Sequence, residues 1–332
     1  MPRLMPRLGL GTASAGASAA GVGEAVAEAL ARGFTHVDCA PLYGNQAEIG
    51  ARAFASLSSE ARAAVWITSK LWLTNFAGER VRPACEHTLA ELQLGYLDLY
   101  LMHAQAGLAH TGIPPAESTP KDADGNAIPS GVPNAETWRA LEQLHTAGLC
   151  RNIGVSNFTL ADLDALLGQQ GISVRPICNQ IELHPWNQQP TIVAGCLARG
   201  VRPVAFSPLG KAQVLADPTL GAIARSRGTT VAQVCLQWNL QRGVTVIPHT
   251  VHEDEMAQNL ALLPREDWAA PTASLVNPRP GGPLAMRPLS EAEMQTIATL
   301  DQGRRFLLLD WGVTSPGALL AQSSSSPHTP KL

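Results

Sequence analysis

Glycine stops recur along this chain at one fixed place in a repeating unit. A helical pattern sets Val22, Ala25, Val26, Ala29 and Leu30 on one face at i, i+3, i+4 spacing; Gly33 ends it, and the β-type run Phe34 to Asp38 follows at once. The punctuation returns at Gly95 before Leu97 to His103, Gly148 before Cys150 to Val155, Gly200 before Val201 to Phe206 and Gly243 before Val244 to Ile247. Adding Leu8 to Thr12, Ala64 to Lys70 and Pro176 to Gln180 brings the strands to about eight, separated by helix-length segments. Val244-Thr245-Val246-Ile247 carries no polar face, as expected of a parallel sheet covered on both sides. Alternating βα units of this number predict an α/β chain forming a single (β/α)8 TIM barrel over residues 1–310, which the length of 332 accommodates as one domain. Ser323 to Ser326 mark residues 311–332 as a disordered tail. Two irregular stretches rich in Pro, Gly, Asn and Asp, Ala104 to Asn134 and Pro264 to Pro288, are expected as long loops.

Composition narrows the partners. A net charge of -3, with 45% hydrophobic and 15% charged residues, offers no electrostatic reason to bind nucleic acid or an anionic membrane. The six cysteines, Cys39, Cys85, Cys150, Cys178, Cys196 and Cys235, form no C-x-x-C pair and are expected as reduced thiols. No apolar run approaches the ~20 residues of a membrane span, and Met1-Pro2-Arg3-Leu4 lacks the apolar stretch of a signal peptide. A cytoplasmic monomer is expected. Lys331-Leu332 match the end of a peroxisomal S-K-L address, with Pro330 in place of its serine.

In such a barrel the chemistry belongs at the C-terminal strand ends and the loops after them. Those ends are polar here: Asp38, Lys70, His103, Ser156-Asn157, Gln180 and Ser207-Pro208, with Tyr43 just past Asp38. A tyrosine titrates near ~10 and needs a neighbouring cation to stabilise its phenolate. Lys70 can supply the charge, and Asp38 can pair with the ammonium, which is costly to bury alone. The plainer alternatives are a structural Asp-Lys pair with Tyr43 as packing, and a core role for His103. A metal site built from His36, Asp38 and His184 has no recognised spacing, so no metal is expected.

The motifs carry a family resemblance. Met5-Pro6-Arg7-Leu8-Gly9-Leu10-Gly11-Thr12, Asp38-Cys39-Ala40-Pro41-Leu42-Tyr43, Ser69-Lys70-Leu71-Trp72 and Leu97 to His103 occupy the first half. Gly154-Val155-Ser156-Asn157-Phe158, Asn179-Gln180-Ile181-Glu182-Leu183-His184-Pro185, Phe206-Ser207-Pro208-Leu209-Gly210 and Ile247-Pro248-His249-Thr250 follow in the second. Through them the chain resembles the aldo-keto reductases from Met5 to about Asn259. The resemblance implies NADPH- or NADH-dependent reduction of an aldehyde or ketone, with Asp38, Tyr43, Lys70 and His103 as a tetrad and Tyr43 as proton donor. It implies that Ser156, Asn157 and Gln180 hold the nicotinamide carboxamide, that Phe206 stacks on the ring in place of the family's tyrosine, and that Ser207 and Leu209 contact the pyrophosphate. Thr12, His249, Thr250, Glu255, Gln258 and Asn259 complete the implied cofactor contacts. The start is no Rossmann fingerprint, since Ser14 stands where a third glycine belongs.

Departures from the family pattern bear on specificity. Ala13 and Ala104 replace tryptophans that many members carry, leaving Trp72 as a wall of a wider substrate pocket. The segment from Gly210 to Asp217 is short for a loop folding over the cofactor. NADPH-preferring members place lysine after I-P and arginine six residues later; His249 and Glu255 stand there, which favours use of NADH. The implied partner is a small carbonyl compound. Two further readings stand beside this one: a cofactor-binding regulatory subunit of the same fold, and a metal-dependent hydrolase using the barrel mouth.

Overall fold

The computed structural model describes residues 4–307 apart from 15, 111, 113–118 and 265–285. The tail expected over 311–332, the Lys331-Leu332 ending and most of the 264–288 stretch lie outside these residues. Strands β1 (Leu10–Gly11), β2 (His36–Asp38), β3 (Trp66–Leu71), β4 (Leu99–Met102), β5 (Ile153–Ser156), β6 (Cys178–Glu182), β7 (Arg202–Phe206) and β8 (Thr245–Val246) pair in parallel, each with its successor. The first and last meet as well. The Val246 carbonyl accepts the Gly9 N–H at 2.9 Å, and the Val246 N–H donates to the Arg7 carbonyl at 2.9 Å. This is the expected (β/α)8 barrel.

Its helices are α1 (Ala19–Arg32), α2 (Gln46–Ile49), α3 (Ser59–Ala64), α4 (Gly78–Glu91), α5 (Asn134–Thr146), α6 (Leu160–Leu167), α7 (Pro190–Ala198), α8 (Pro218–Arg227), α9 (Val231–Gln241), α10 (Glu253–Leu260) and α11 (Glu291–Ala298). Helix α1 buries the face read from the sequence, Val22, Ala25, Val26 and Ala29, although Leu30 is only partly covered. Gly33, Gly148, Gly200 and Gly243 take left-handed φ of 109°, 76°, 70° and 78°, so four of the glycine stops work as read. Gly95 does not. Helix α4 ends at Glu91, and Gln93, at φ 54°, makes the left-handed turn before that glycine is reached.

Period-two alternation along the strands divides the molecule. Trp66, Leu99, Leu101, Cys178, Val204 and Ile247 fill the inside of the barrel, while Ile67, Leu71, Tyr100 and Met102 pack outward in the core under the helices. Lys70 shares the inward parity of Trp66, and His103 that of Leu101, so strand geometry carries both into the mouth. At β1 the packing admits no side chain: a Cβ on Gly9 would lie 2.7 Å from the His36 ring, and one on Gly11 2.8 Å from the Ile247 carbonyl oxygen. The 104–134 loop is ordered in its described parts, with antiparallel bridges between Leu108 and Pro129 and between Lys121 and Ala127.

Candidate active site

The strand ends converge on one buried network. Lys70, at the end of β3, is fully buried and donates to Asp38 of β2, to the Cys39 carbonyl at 3.0 Å and to the Tyr43 hydroxyl at 3.1 Å. Its three ammonium protons therefore have three acceptors. The other carboxylate oxygen of Asp38 accepts from Gln180 Nε2 at 2.7 Å, across the barrel from β6. Gln180 in turn offers its main-chain carbonyl to Ser156 Oγ at 2.8 Å and to the Asn157 N–H at 2.9 Å. Asn157 Nδ2 donates to the His103 carbonyl at 2.9 Å and to Ser156 Oγ at 3.1 Å. The Tyr43 and His103 rings meet edge to face with centroids 6.2 Å apart. Five strands thus contribute to one constellation, including all four residues read as the tetrad.

Burial sets the protonation states. It is the leading influence on Lys70 and would lower the ammonium pKa, but Asp38 and Tyr43 outweigh it and raise the value, so the lysine stays charged. For Tyr43 burial again leads and raises the phenol above its ordinary value; Lys70 pulls it down and Asp38 pushes it up. Lys70 therefore acts in the direction expected from the sequence, lowering the tyrosine pKa, but it opposes a larger desolvation effect, and the phenol rests in its protonated form. His103 is held well below the usual histidine range by burial first and by Lys70 second, so its imidazole is neutral.

The residues expected to hold a cofactor fall into two groups. Thr12, Ser156, Asn157 and Gln180 belong to the mouth network, Thr12 through its hydroxyl on the Asp38 carbonyl at 2.9 Å. Phe206, half-buried, leads from β7 into a turn holding Ser207, at φ 45°, and Leu209. Asn157 also sits at positive φ, 62°, and two such non-glycine residues, just past the ends of β5 and β7, are strain of the kind found at functional sites. The second group lies beyond β8. His249 is exposed, with Nδ1 3.0 Å from the Gly11 carbonyl, and the Thr250 hydroxyl donates to Glu255 in the first turn of α10. Gln258 and buried Asn259 occupy the last turns of that helix.

Trp72 stands edge-on to His103 with centroids 5.4 Å apart, and Ala104 follows the histidine; both are buried. The three residues considered for a metal have separate partners: His36 meets Thr68 at 3.1 Å, His184 meets Glu182 at 3.0 Å, and Asp38 is taken by Lys70 and Gln180. Among the described residues no cluster of three or more His, Cys, Asp or Glu could hold a metal ion. Two contributors were not foreseen. Asn45 anchors the Thr12 carbonyl at 2.9 Å, a contact that nothing in the local pattern announces. Glu182 sits in a motif noted above but without an assigned role.

Comparison with known proteins agrees with this geometry. The sequence pattern of the Aldo/keto reductase family matches residues 7–273. The aldo/keto reductase slr0942 of Synechocystis sp. is 36% identical, over 95% of this chain and 90% of that protein. Aldo-keto reductase family 1 member A1 of Mus musculus is 39% identical over 77% of this chain and 80% of its own. Among solved structures, the aldose reductase of Schistosoma japonicum superposes with a TM-score of 0.77 at 34% identity, covering 93% of each chain. Among the described residues no helix is long and apolar enough to cross a membrane. A barrel of this topology, a polar constellation at its strand ends and similarity running through nearly the whole length lead to one assignment: the chain belongs to the aldo/keto reductase family.

Proposed function

We propose that the protein is an NAD(P)H-dependent reductase that converts an aldehyde or ketone to the alcohol, with Tyr43 as proton donor. The observation that carries this reading is the 3.1 Å hydrogen bond between a permanently charged Lys70 and the Tyr43 hydroxyl, inside a buried network. The mouth fits the nicotinamide end of a dinucleotide: Phe206 brings a half-buried aromatic ring at the end of β7, and Ser156, Asn157 and Gln180 at the ends of β5 and β6 offer both donors and acceptors. When bound, the reduced nicotinamide would supply the hydride to the carbonyl carbon.

The chain's own part is proton delivery and orientation. Tyr43 gives its phenolic proton to the carbonyl oxygen as charge develops there, and Lys70 stabilises the phenolate left behind until solvent returns a proton. Asp38 and Gln180 keep the ammonium paired and aimed. His103, neutral and edge-on to Tyr43, can hold the substrate oxygen with an N–H without competing as a stronger acid. Trp72 and Ala104 line the substrate side, and alanine at 104 leaves room for a bulkier carbonyl compound.

The preferred cofactor is NADH, alone or beside NADPH. The first turn of α10 carries Glu253, Asp254 and Glu255, and Thr250 is already engaged by Glu255. Carboxylates there repel a ribose phosphate and accept bonds from ribose hydroxyls. His249 donates from Nδ1 to the Gly11 carbonyl, so one of its ring nitrogens is already committed to main chain and is not free for a phosphate. Replacing Tyr43 with Phe tests the central assignment. Carbonyl reduction should fall by ~10²- to 10⁴-fold, the usual worth of a general acid, while cofactor affinity stays near wild type. Wild-type turnover of a good aldehyde by that variant would sink the reading.

A further inference from the structure

Glu182 has no part in the chemistry above, yet it is 4% exposed and stands two residues beyond Gln180 on the same strand. Both its carboxylate oxygens are taken by chain from the far end of the described residues. Oε1 accepts the Phe306 N–H at 2.7 Å and Oε2 the Leu307 N–H at 3.0 Å, while the wholly buried His184 reaches Oε1 at 3.0 Å. Burial pushes this carboxyl's pKa up, but His184 and the two N–H groups prevail and hold it below its ordinary value. The same segment is tied down just upstream. The Trp186 carbonyl accepts N–H groups of Gln302 and Arg304 at 3.1 and 3.0 Å, and Asp301 accepts the Gln188 N–H at 3.1 Å.

These bonds deliver one side chain to a particular place. The Phe306 ring lies 5.2 Å from the His184 ring and so close to Gly210 that a Cβ there would stand 2.8 Å from it. Gly210, Lys211 and Ala212 are consecutive left-handed residues at φ 53°, 50° and 66°, following Ser207 at 45°. Non-glycine residues do not hold such a run unaided, so neighbours must over-determine it. The turn also follows directly on Phe206, which pairs in register with Glu182.

We propose that Glu182 is a positioning residue: by anchoring residues 301–307 it presses Phe306 against the turn after β7 and so sets the affinity of that turn for a dinucleotide. The inference rests on the dinucleotide use proposed above, together with the pyrophosphate contacts of Ser207 and Leu209 that the family resemblance implies. A carboxylate is required because two converging N–H groups need two acceptor oxygens, and glutamine offers one. Glu182→Gln should therefore loosen the anchor without changing shape, and Phe306→Ala should remove the pressing ring while the main-chain anchor stays.

The test uses the full chain and its reduced cofactors. NADH and NADPH are titrated by fluorescence, kcat is taken at saturating cofactor, and trypsin cleavage after Arg304 and Arg305, both exposed, reports release of the segment. Both variants should bind cofactor about tenfold more weakly, by loss of a charge-assisted hydrogen bond in Glu182→Gln and of the packing ring in Phe306→Ala, with kcat at saturation unchanged. Cleavage should accelerate about tenfold in Glu182→Gln and little in Phe306→Ala. Unchanged cofactor dissociation constants in both variants overturn the inference and leave the proposed function standing. Should Glu182→Gln not fold, Phe306→Ala decides by the same titration. A wild type that binds neither cofactor overturns the proposed function and this inference together.

Discussion

Two buried aspartates stand at opposite ends of the barrel, each paired with a cation, and the pairs are built differently. Asp98 precedes β4, at the N-terminal end; it accepts from Arg62 at 2.8 Å and from the Ile67 N–H at 3.0 Å. Arg62 also donates to the Val65 and Tyr96 carbonyls at 2.8 Å each, and it and Arg151 lie over the Tyr96 ring at 4.0 and 3.9 Å. A planar fork is thereby spent on main chain and a carboxylate, stitching loop to strand. Asp38 closes β2, at the C-terminal end, and its cation is Lys70, a compact charge whose third proton goes to a phenol. Equal burial, 1% exposure for both aspartates, does not mean equal purpose. One cation has all its partners in main chain and carboxylate; the other also holds a phenol, the group proposed above as proton donor.

The comparison would break first on Lys70→Met. Losing the cation leaves Asp38 uncompensated, which costs about 3–5 kcal/mol of stability. It also removes the charge that stabilises the Tyr43 phenolate, so kcat/KM should fall by ~10²- to 10⁴-fold even for folded protein. Denaturant melts and steady-state kinetics on the same sample separate the two losses. Intact turnover would show that the pair at the mouth is as purely structural as its counterpart.

Asp98→Ala should give the complementary result. Stability should again drop by about 3–5 kcal/mol, since Arg62 and the Ile67 N–H lose their acceptor, while kcat/KM per folded molecule holds at a permissive temperature. Parallel loss of activity would blur the two ends.

Smaller effects sharpen the picture. Glu255→Arg replaces a carboxylate by a phosphate-binding fork, and NADPH should bind tenfold or more tighter, about 1.4 kcal/mol, with NADH little changed. Wild-type binding of NADPH a hundredfold tighter than NADH, unaltered by the substitution, would remove the case for NADH. The smallest expected signal is a flat one. With Tyr43 raised above its ordinary value and His103 well below its own, neither should titrate near neutrality, so kcat/KM for reduction should lack an inflection near ~6.5. His103 contributes to stability instead: its folded pKa is depressed, so its contribution is complete above about 6.5 and is lost as pH falls toward the folded value. A rate profile bending at ~6.5 would mean that His103 titrates as an exposed histidine does.

Much of this was legible in residues alone because the periodicities are local. Glycines 33, 148, 200 and 243 mark helix ends since the left-handed turn there suits a residue without a Cβ. Strand parity makes Asp38, Lys70 and His103 inward neighbours once eight strands are granted, so the mouth constellation follows from the pattern. Gly95 misled for the same local reason: a glycine near a helix end looks like its stop, but the length of α4 put the turn at Gln93.

Sequence by itself determined the alternation of helix and strand, the barrel it implies and which polar side chains stand at the strand ends, because each depends on neighbours within a turn or a strand. Tertiary structure alone decided which influence governs each pKa. The rise of Tyr43 reflects how completely surrounding strands exclude water, a sum over groups distant in sequence, and Lys70 only opposes it. It alone also decided the bond from Gln180 to Asp38, 142 residues apart, and the two from the Phe306 and Leu307 N–H groups to Glu182, 124 and 125 apart. Contacts of that separation exist only once the chain has closed on itself, because burial forces every carboxylate to find donors wherever the fold brings them.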